Sequence, residues 1–341
     1  MKAVQIIQPN ELRVIEMDKP VLDDTNNVLI KMTAAGICGS DVGIYHGTNA
    51  AATYPRVIGH EMVGVVAEVG PTAKKVKVGD RVIVDQVTAC GHCYACRKGR
   101  PNVCGNLKVR GVHIDGGYRE FMAVPDTDCY LVPDKLSYQD AIMIEPTTIA
   151  VQSCSRAQLE SQDDVMIIGA GALGTSLLRI VRLYNPHKII MVDIDDAKLE
   201  ECLKNGATHV INSMKEDVVA RAHELTDGYG PTVTIDAACF KGSFLMACKA
   251  TGSAGRVITM GFSVAPDEIN QFVITSKELD VRGSRLQNRK FQDVIDLVNE
   301  GKVDLRGSIS HTWNFEDAQA AFDFVDSRDP SYRKGVLTFK K

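Results

Sequence analysis

Four cysteines, Cys90, Cys93, Cys96 and Cys104, fall within fifteen residues in the pattern Cys-x2-Cys-x2-Cys-x7-Cys, with Gly91, Gly99 and Pro101 between them to turn the chain. Four thiolates on one loop close a tetrahedral zinc shell and leave no position for water, so this set is expected to be structural. Free thiols or an iron–sulfur cluster are the other uses of such a set, but nothing else in the chain points to electron transfer. A second set is dispersed: Cys38 in Gly36-Ile37-Cys38-Gly39-Ser40-Asp41, His60 and Glu61 in Gly59-His60-Glu61, and Glu145 in Ile144-Glu145-Pro146. None is specific alone, and a lone histidine is more often a satisfied core side chain than a ligand. Together, one thiolate, one imidazole and a carboxylate supply three protein ligands and leave a fourth zinc position for a reacting oxygen.

A third feature is Gly169-Ala170-Gly171-Ala172-Leu173-Gly174, a G-x-G-x-x-G run. It is weak evidence alone, but here it follows an apolar run, Asp164 to Gly169, and opens a helical stretch, Ala172 to Tyr184. In that context the first glycine permits a tight turn, the second admits a pyrophosphate, and the third lets helix and strand pack closely. Asp193 ends the next apolar run, 19 residues after Gly174. A carboxylate there accepts from ribose hydroxyls and repels a 2′-phosphate, which favours NAD over NADP. Asp195 and Asp196 add negative charge and Lys198 is within reach of the ribose. The expected cofactor set is Gly169, Gly171, Leu173, Gly174, Asp193, Lys198 and Gly261.

Two kinds of element position these residues. Residues 1–145 read as short β-type runs between Gly, Pro and Asp turns: Val28 to Met32, Glu61 to Val69 and Arg81 to Asp85, the last preceded by a Gly79-Asp80 hairpin signal. From about residue 150 strands alternate with helices. Strands are expected at 188–193, 209–212, 232–237, 256–261 and 279–283, and helices at 195–205 and 218–226. That alternation implies right-handed crossovers and a doubly wound parallel sheet. A helix near 289–300 and a strand at 335–339 follow, the strand returning to the first domain.

The chain has 341 residues, which favours two domains, and its 45% hydrophobic and 24% charged residues are ordinary for a globular protein. Formal charge is 39 − 43 = −4, so no overall basic field invites nucleic acid. The start, Met-Lys-Ala-Val-Gln-Ile-Ile-Gln-Pro, is too polar for a signal peptide, and no apolar run spans a bilayer, so a cytoplasmic protein with no membrane partner is expected. In such a reducing compartment clustered cysteines point to metal, while Cys129, Cys154, Cys202, Cys239 and Cys248 read as small apolar residues.

These motifs together resemble the zinc-dependent medium-chain alcohol and polyol dehydrogenases, over essentially the whole chain. The most specific parts are the Cys90–Cys104 loop, Gly59-His60-Glu61 and the glycine run. The resemblance implies a chaperonin-10-like, β-rich catalytic domain, residues 1–149 and 286–341, with a structural zinc lobe at 88–107. It implies a Rossmann domain at 150–285, NAD, two zinc ions per chain, and a homodimer or homotetramer. Cys38, His60 and either Glu61 or Glu145 would hold the catalytic zinc, and Ser40 would carry the alcohol proton outward. Some relatives extend that relay with a histidine where this chain has Gly43, and His46 is the nearest substitute. Gly111-Val112-His113-Ile114-Asp115-Gly116-Gly117, Ile144 to Ile149, Ile235 to Cys239, Met260 to Ser263 and Gly283-Ser284-Arg285 look most similar to bacterial sugar-acid 5-dehydrogenases of the L-gulonate, L-idonate and L-galactonate kind, a starvation-sensing group among them.

The expected activity is hydride transfer between NAD and a secondary alcohol of a sugar acid, L-gulonate 5-dehydrogenase being the specific choice. Arg285 would meet the substrate carboxylate, with Lys108, Arg110 and Arg119 as other cations, and His113 would lie near the substrate. The alternatives are a polyol (sorbitol-type) or L-threonine 3-dehydrogenase, a zinc-ribbon nucleic-acid binder using Arg97, Lys98 and Arg100, and a silent NAD-binding regulator.

Overall fold

The structure is a computed structural model that describes residues 1–261 and 266–339. Phe262 and Ser263 of the Met260–Ser263 stretch lie outside the described residues. The chain divides into two compact units, Met1–Glu145 with Phe291–Lys341, and Pro146–Lys290. These divisions fall a few residues from the 149 and 286 expected from sequence.

The first unit is organised around Val28–Ile37, a ten-residue strand rich in β-branched and small apolar side chains and buried along most of its length. It pairs antiparallel with Met62–Val69 and with Phe121–Val124, so it is longer than the 28–32 run read from sequence. The edge opposite Met62–Val69, which carries Phe121–Val124, also takes Gly335–Thr338, with Gly335 opposite Ile37 and Leu337 opposite Ala35. The full order is Cys129–Leu131, Arg81–Val84, Met62–Val69, Val28–Ile37, Gly335–Thr338, His311–Asn314, with Phe121–Val124 off this path. The Gly79-Asp80 signal is a real turn: Gly79 has φ +91°, and Lys77 and Asp80 hydrogen-bond to each other just before Arg81–Val84.

The second unit carries a six-stranded sheet in the order His209–Asn212, Lys188–Asp193, Asp164–Ile168, Val233–Asp236, Arg256–Thr259, Asp280–Gly283, with every pair parallel. Val165 to Ile168 are all buried, which is why they read as an unbroken apolar run rather than an alternating one. The order reverses beside Asp164–Ile168, so the glycine turn that follows this strand stands at the switch point where such sheets take ligands. The helix after it is α-helical over Ala172–Val181 and tightens to 3-10 over Arg182–Tyr184. It stops at Asn185, in the left-handed region at φ 50°, because Pro186 cannot continue it. Among the described residues no helix is long and apolar enough to cross a membrane.

Candidate functional site

In the first unit, Val28–Ile37 runs into Cys38, which caps the helix Gly39–Tyr45. Asp41 in that helix's first turn accepts from the Cys38 N–H (3.0 Å), so the helix start and the cysteine are tied together. His60 and Glu61 immediately precede Met62–Val69, whose register puts Met62 opposite Ala35, and the Gly36 N–H donates to the Glu61 carbonyl (2.9 Å). Strand pairing therefore brings Cys38, His60 and Glu61 together, with one ligand atom from each lying within 4.8 Å of the others. Ser40 is half-buried in the first turn of the helix, two residues past Cys38.

Asp41 is fully buried, its Oδ1 lying 3.3 Å from His60 Nδ1, and it also accepts from the Gly59 N–H (3.4 Å). This leaves Nε2 as the ring nitrogen free to meet a metal. Sequence reading passed over Asp41, although an acidic residue three positions after the helix-capping Cys38 is a visible capping signal. Glu61 is 1% exposed, and a Cβ at Gly36 would stand 1.7 Å from its Oε2, so only glycine there admits the carboxylate. Lys334, also buried, donates to Glu61 Oε1 (2.5 Å). Glu145 is buried beside this group but does not join its tightest cluster; its Oε1 accepts from Gln86 Nε2 (2.5 Å). Neither Lys334 nor Gln86 carries any sequence signal.

The donor set fits a cation. Glu61 Oε2 is buried without a hydrogen-bond partner. Burial pushes the Glu145 carboxyl up to about 8. Burial opposes the charged His60 ring, yet Asp41 and Cys38 raise it well above its usual value. A buried cluster that must hold extra protons to balance its charge is one from which a divalent ion would release them.

The four-cysteine loop fits zinc more directly. Cys93 Sγ lies 3.5 Å from Cys96 Sγ and 3.7 Å from Cys104 Sγ, and Cys104 Sγ lies 3.4 Å from Cys90 Sγ. Zinc–sulfur bonds of about 2.3 Å in a tetrahedron set the sulfurs about 3.8 Å apart, and disulfides would need about 2.05 Å. The Cys90 and Asn106 N–H groups both donate to Cys104 Sγ at 3.3 Å. Backbone N–H groups of Cys96 and Gly105 hold the Cys93 thiol down to about 6.

In the second unit Gly169 has φ +102°, and a Cβ on Gly174 would lie 1.9 Å from the Gly169 carbonyl oxygen. A Cβ on Gly171, at the cap of Ala172–Val181, would meet nothing within 4 Å. Protein packing therefore explains Gly174 but not Gly171, as expected if Gly171 leaves room for a bound phosphate. Asp193 Oδ2 accepts from Ala170 N–H (2.6 Å), and Oδ1 from the N–H groups of Ile194 (2.8 Å) and Asp195 (3.1 Å). The carboxylate is thus held against the glycine turn with lone pairs to spare. The neighbouring acids are committed elsewhere: Asp195 caps Asp196–Lys204, accepting from the Ala197 and Lys198 N–H groups, and Asp196 binds Lys215 and Asn212. Leu173 lies in the first turn after Gly171, and Gly261 stands beside Cys239, which a Cβ on Gly261 would approach to 3.5 Å.

The remaining expected residues sort by their contacts. Arg110 is buried and bound to the Asp85 carbonyl and Asp128, a structural role that removes it as a substrate anchor. Lys108 is exposed, and Arg119 is largely buried, which lowers its pKa. Arg285 is exposed just after Asp280–Gly283. His113 Nδ1 accepts from the Val109 N–H (3.1 Å), which leaves the ring proton on Nε2. His46 does not extend a relay: its ring nitrogens meet Asn10 and Asp326 on the exposed side of the unit.

A model of the alcohol dehydrogenase GroES-like domain matches residues 24–134, and a model of the zinc-binding dehydrogenase matches 172–300. The starvation-sensing protein RspB of Escherichia coli K12 is 39% identical over 342 residues, 100% of each chain. The sorbitol dehydrogenase of Bacillus subtilis is 28% identical, covering 95% of this chain and 93% of that one. The crystal structure of an alcohol dehydrogenase, rspB of E. coli CFT073, complexed with NADH, superposes with a TM-score of 0.92 at 39% identity over 99% of each chain. A chaperonin-10-like β unit, a parallel-sheet dinucleotide unit and these matches together show that the chain belongs to the zinc-dependent medium-chain alcohol dehydrogenase family.

Proposed function

We propose that the protein is an NAD-dependent, zinc-dependent dehydrogenase of a sugar-acid secondary alcohol, with L-gulonate to D-fructuronate as the specific reaction. The observation that carries the reading is the meeting of Cys38, His60 and Glu61, with one ligand atom from each within 4.8 Å of the others and Glu61 Oε2 buried without a hydrogen-bond partner. When bound, zinc would supply Lewis acidity that makes a substrate hydroxyl acidic near neutral pH, and NAD would accept the hydride.

The chain's own groups do the rest. Cys38, His60 and Glu61 hold the metal, and Asp41 keeps the His60 ring turned for it. Glu145, held by Gln86, stands as the exchangeable carboxylate beside them. Ser40 Oγ takes the hydroxyl proton outward. Gly169, Gly171, Leu173 and Gly174 cradle the cofactor phosphates, Asp193 and Lys198 take the adenosine ribose, and Gly261 lines the same side of the sheet. Arg285 binds the substrate carboxylate through its planar fork, and His113 Nε2 offers a donor to a substrate oxygen. The Cys90, Cys93, Cys96 and Cys104 zinc is structural. We place the enzyme in the cytoplasm, as a homodimer or homotetramer.

The sugar-acid choice rests on the resemblance of Gly111 to Gly117 and Ile144 to Ile149 to sugar-acid 5-dehydrogenases. The sorbitol dehydrogenase relative supports a polyol as the second reading. NADH formation by zinc-replete protein against L-gulonate, L-idonate, L-galactonate, D-mannonate, sorbitol, xylitol and L-threonine separates them. One hexonate well ahead of the polyols supports the proposal; a polyol or threonine ahead of every hexonate overturns the substrate and keeps the chemistry.

A further inference from the structure

The cluster around Cys38 contains one buried cation that the chemistry above does not use. Lys334 is 4% exposed and Glu61 1%. Lys334 Nζ donates to Glu61 Oε1 (2.5 Å) and to the Ile37 carbonyl (3.0 Å), the peptide just before Cys38. One ammonium therefore holds both ligand-bearing segments. Its own backbone is pinned: Lys334 N–H donates to Ser310 Oγ (3.1 Å), its carbonyl accepts from Ser310 N–H (2.9 Å), and the strand Gly335–Thr338 that follows pairs with Val28–Ile37. Glu61 Oε2 stays buried without a hydrogen-bond partner, on the side that Gly36 opens.

A buried ammonium is tolerated only when paired, and this one is paired to a metal-site carboxylate rather than to a surface acid. We propose that Lys334 is the positioning residue of the catalytic metal site. It takes one oxygen of Glu61 and leaves Oε2 as the oxygen offered to the metal. The inference rests on the reading that Cys38, His60 and Glu61 hold a metal.

The test uses the full-length chain and zinc itself as probe. Wild type, Lys334→Met, Lys334→Gln and Lys334→Arg are compared for zinc equivalents, for zinc affinity by competition with a chelator, and for the visible spectrum of the cobalt-substituted protein. Wild type is expected to hold two equivalents. Lys334→Met should keep the four-cysteine zinc and bind the second about 10–100-fold more weakly, with an altered cobalt spectrum. Lys334→Arg should restore most of that affinity. Near-ultraviolet circular dichroism checks the fold, and if Lys334→Met does not fold, Lys334→Gln, which keeps a donor but no charge, carries the same expectation. A folded Lys334→Met or Lys334→Gln with two tight equivalents and an unchanged cobalt spectrum overturns the role of Lys334. A wild-type protein that holds only the four-cysteine zinc overturns the underlying metal reading, and the inference with it.

Discussion

Alanine at Gly171 and at Gly174 should fail in different ways, although the two residues are three positions apart. At Gly174 the added methyl would stand 1.9 Å from the Gly169 carbonyl oxygen and 2.8 Å from its carbon. Those are backbone atoms, so the turn must open by more than an ångström to reach an ordinary contact. Overpacking of this kind costs about 1–3 kcal/mol. For a domain of this size each kcal/mol lowers Tm by about 2–4 °C, so Gly174→Ala should melt roughly 2–12 °C lower. At Gly171 the methyl meets no protein atom within 4 Å, and φ −73° with ψ −170° suits alanine. A poorer helix cap and a less flexible unfolded chain then offset one another to within about 1 kcal/mol. The same methyl would fill the approach to the backbone that a pyrophosphate needs, and losing one hydrogen bond to a charged group costs about 1.5–3 kcal/mol. Gly171→Ala should therefore weaken NADH roughly 10–100-fold with an almost unchanged Tm. Thermal unfolding and fluorescence titration with NADH read the two effects separately. Wild-type NADH affinity in Gly171→Ala, or a loss of Tm equal to that of Gly174→Ala, would refute the reasoning.

Ser40→Ala should lower kcat and shift its pH profile while leaving zinc content intact, whereas His46→Asn should leave kcat unchanged because its ring is engaged by Asn10 and Asp326. The converse pattern in stopped-flow and steady-state kinetics would move the relay to His46. Burial pushes the thiols of Cys129 and Cys239 up to about 12 and those of Cys202 and Cys248 up to about 11. An unfolded cysteine ionises near 8.5, so unfolding releases these protons above that pH and stability falls between about pH 8.5 and 11. The urea midpoint should drop over that window, with a shallower drop in Cys129→Ala; a flat profile would contradict the burial argument.

Much of the molecule was legible because its signals are local. Lys188–Asp193 and His209–Asn212 match their expected bounds; in the first, Ile189 to Val192 are buried inside the sheet and so form an unbroken apolar run. Cys90 to Cys104 close on one another because a single loop carries all four, so spacing alone constrains their geometry. The glycine turn was equally readable, because Gly169 needs a positive φ and Gly174 a close approach, both demands made within a few residues.

What spacing could not reach is the use each side chain makes of distant partners. Asp195 and Asp196 looked like ribose-side charges and turned out to be a helix cap and a partner of Lys215, while Asp193 alone is fastened to the glycine turn. Arg110 looked like a substrate cation and is consumed by Asp85 and Asp128. The two carboxylates of the metal site were equivalent on paper. They differ because Lys334, 273 residues from Glu61 in the chain, reaches Glu61, whereas Gln86 reaches Glu145. Local sequence specifies which residue types can bind a cation or a phosphate, because ligand chemistry and turn sterics act over a few residues. Which of several like-charged groups remains free to do so depends on burial, since inside the protein every charge must find a partner and the partners come from strands that meet only in the folded sheet.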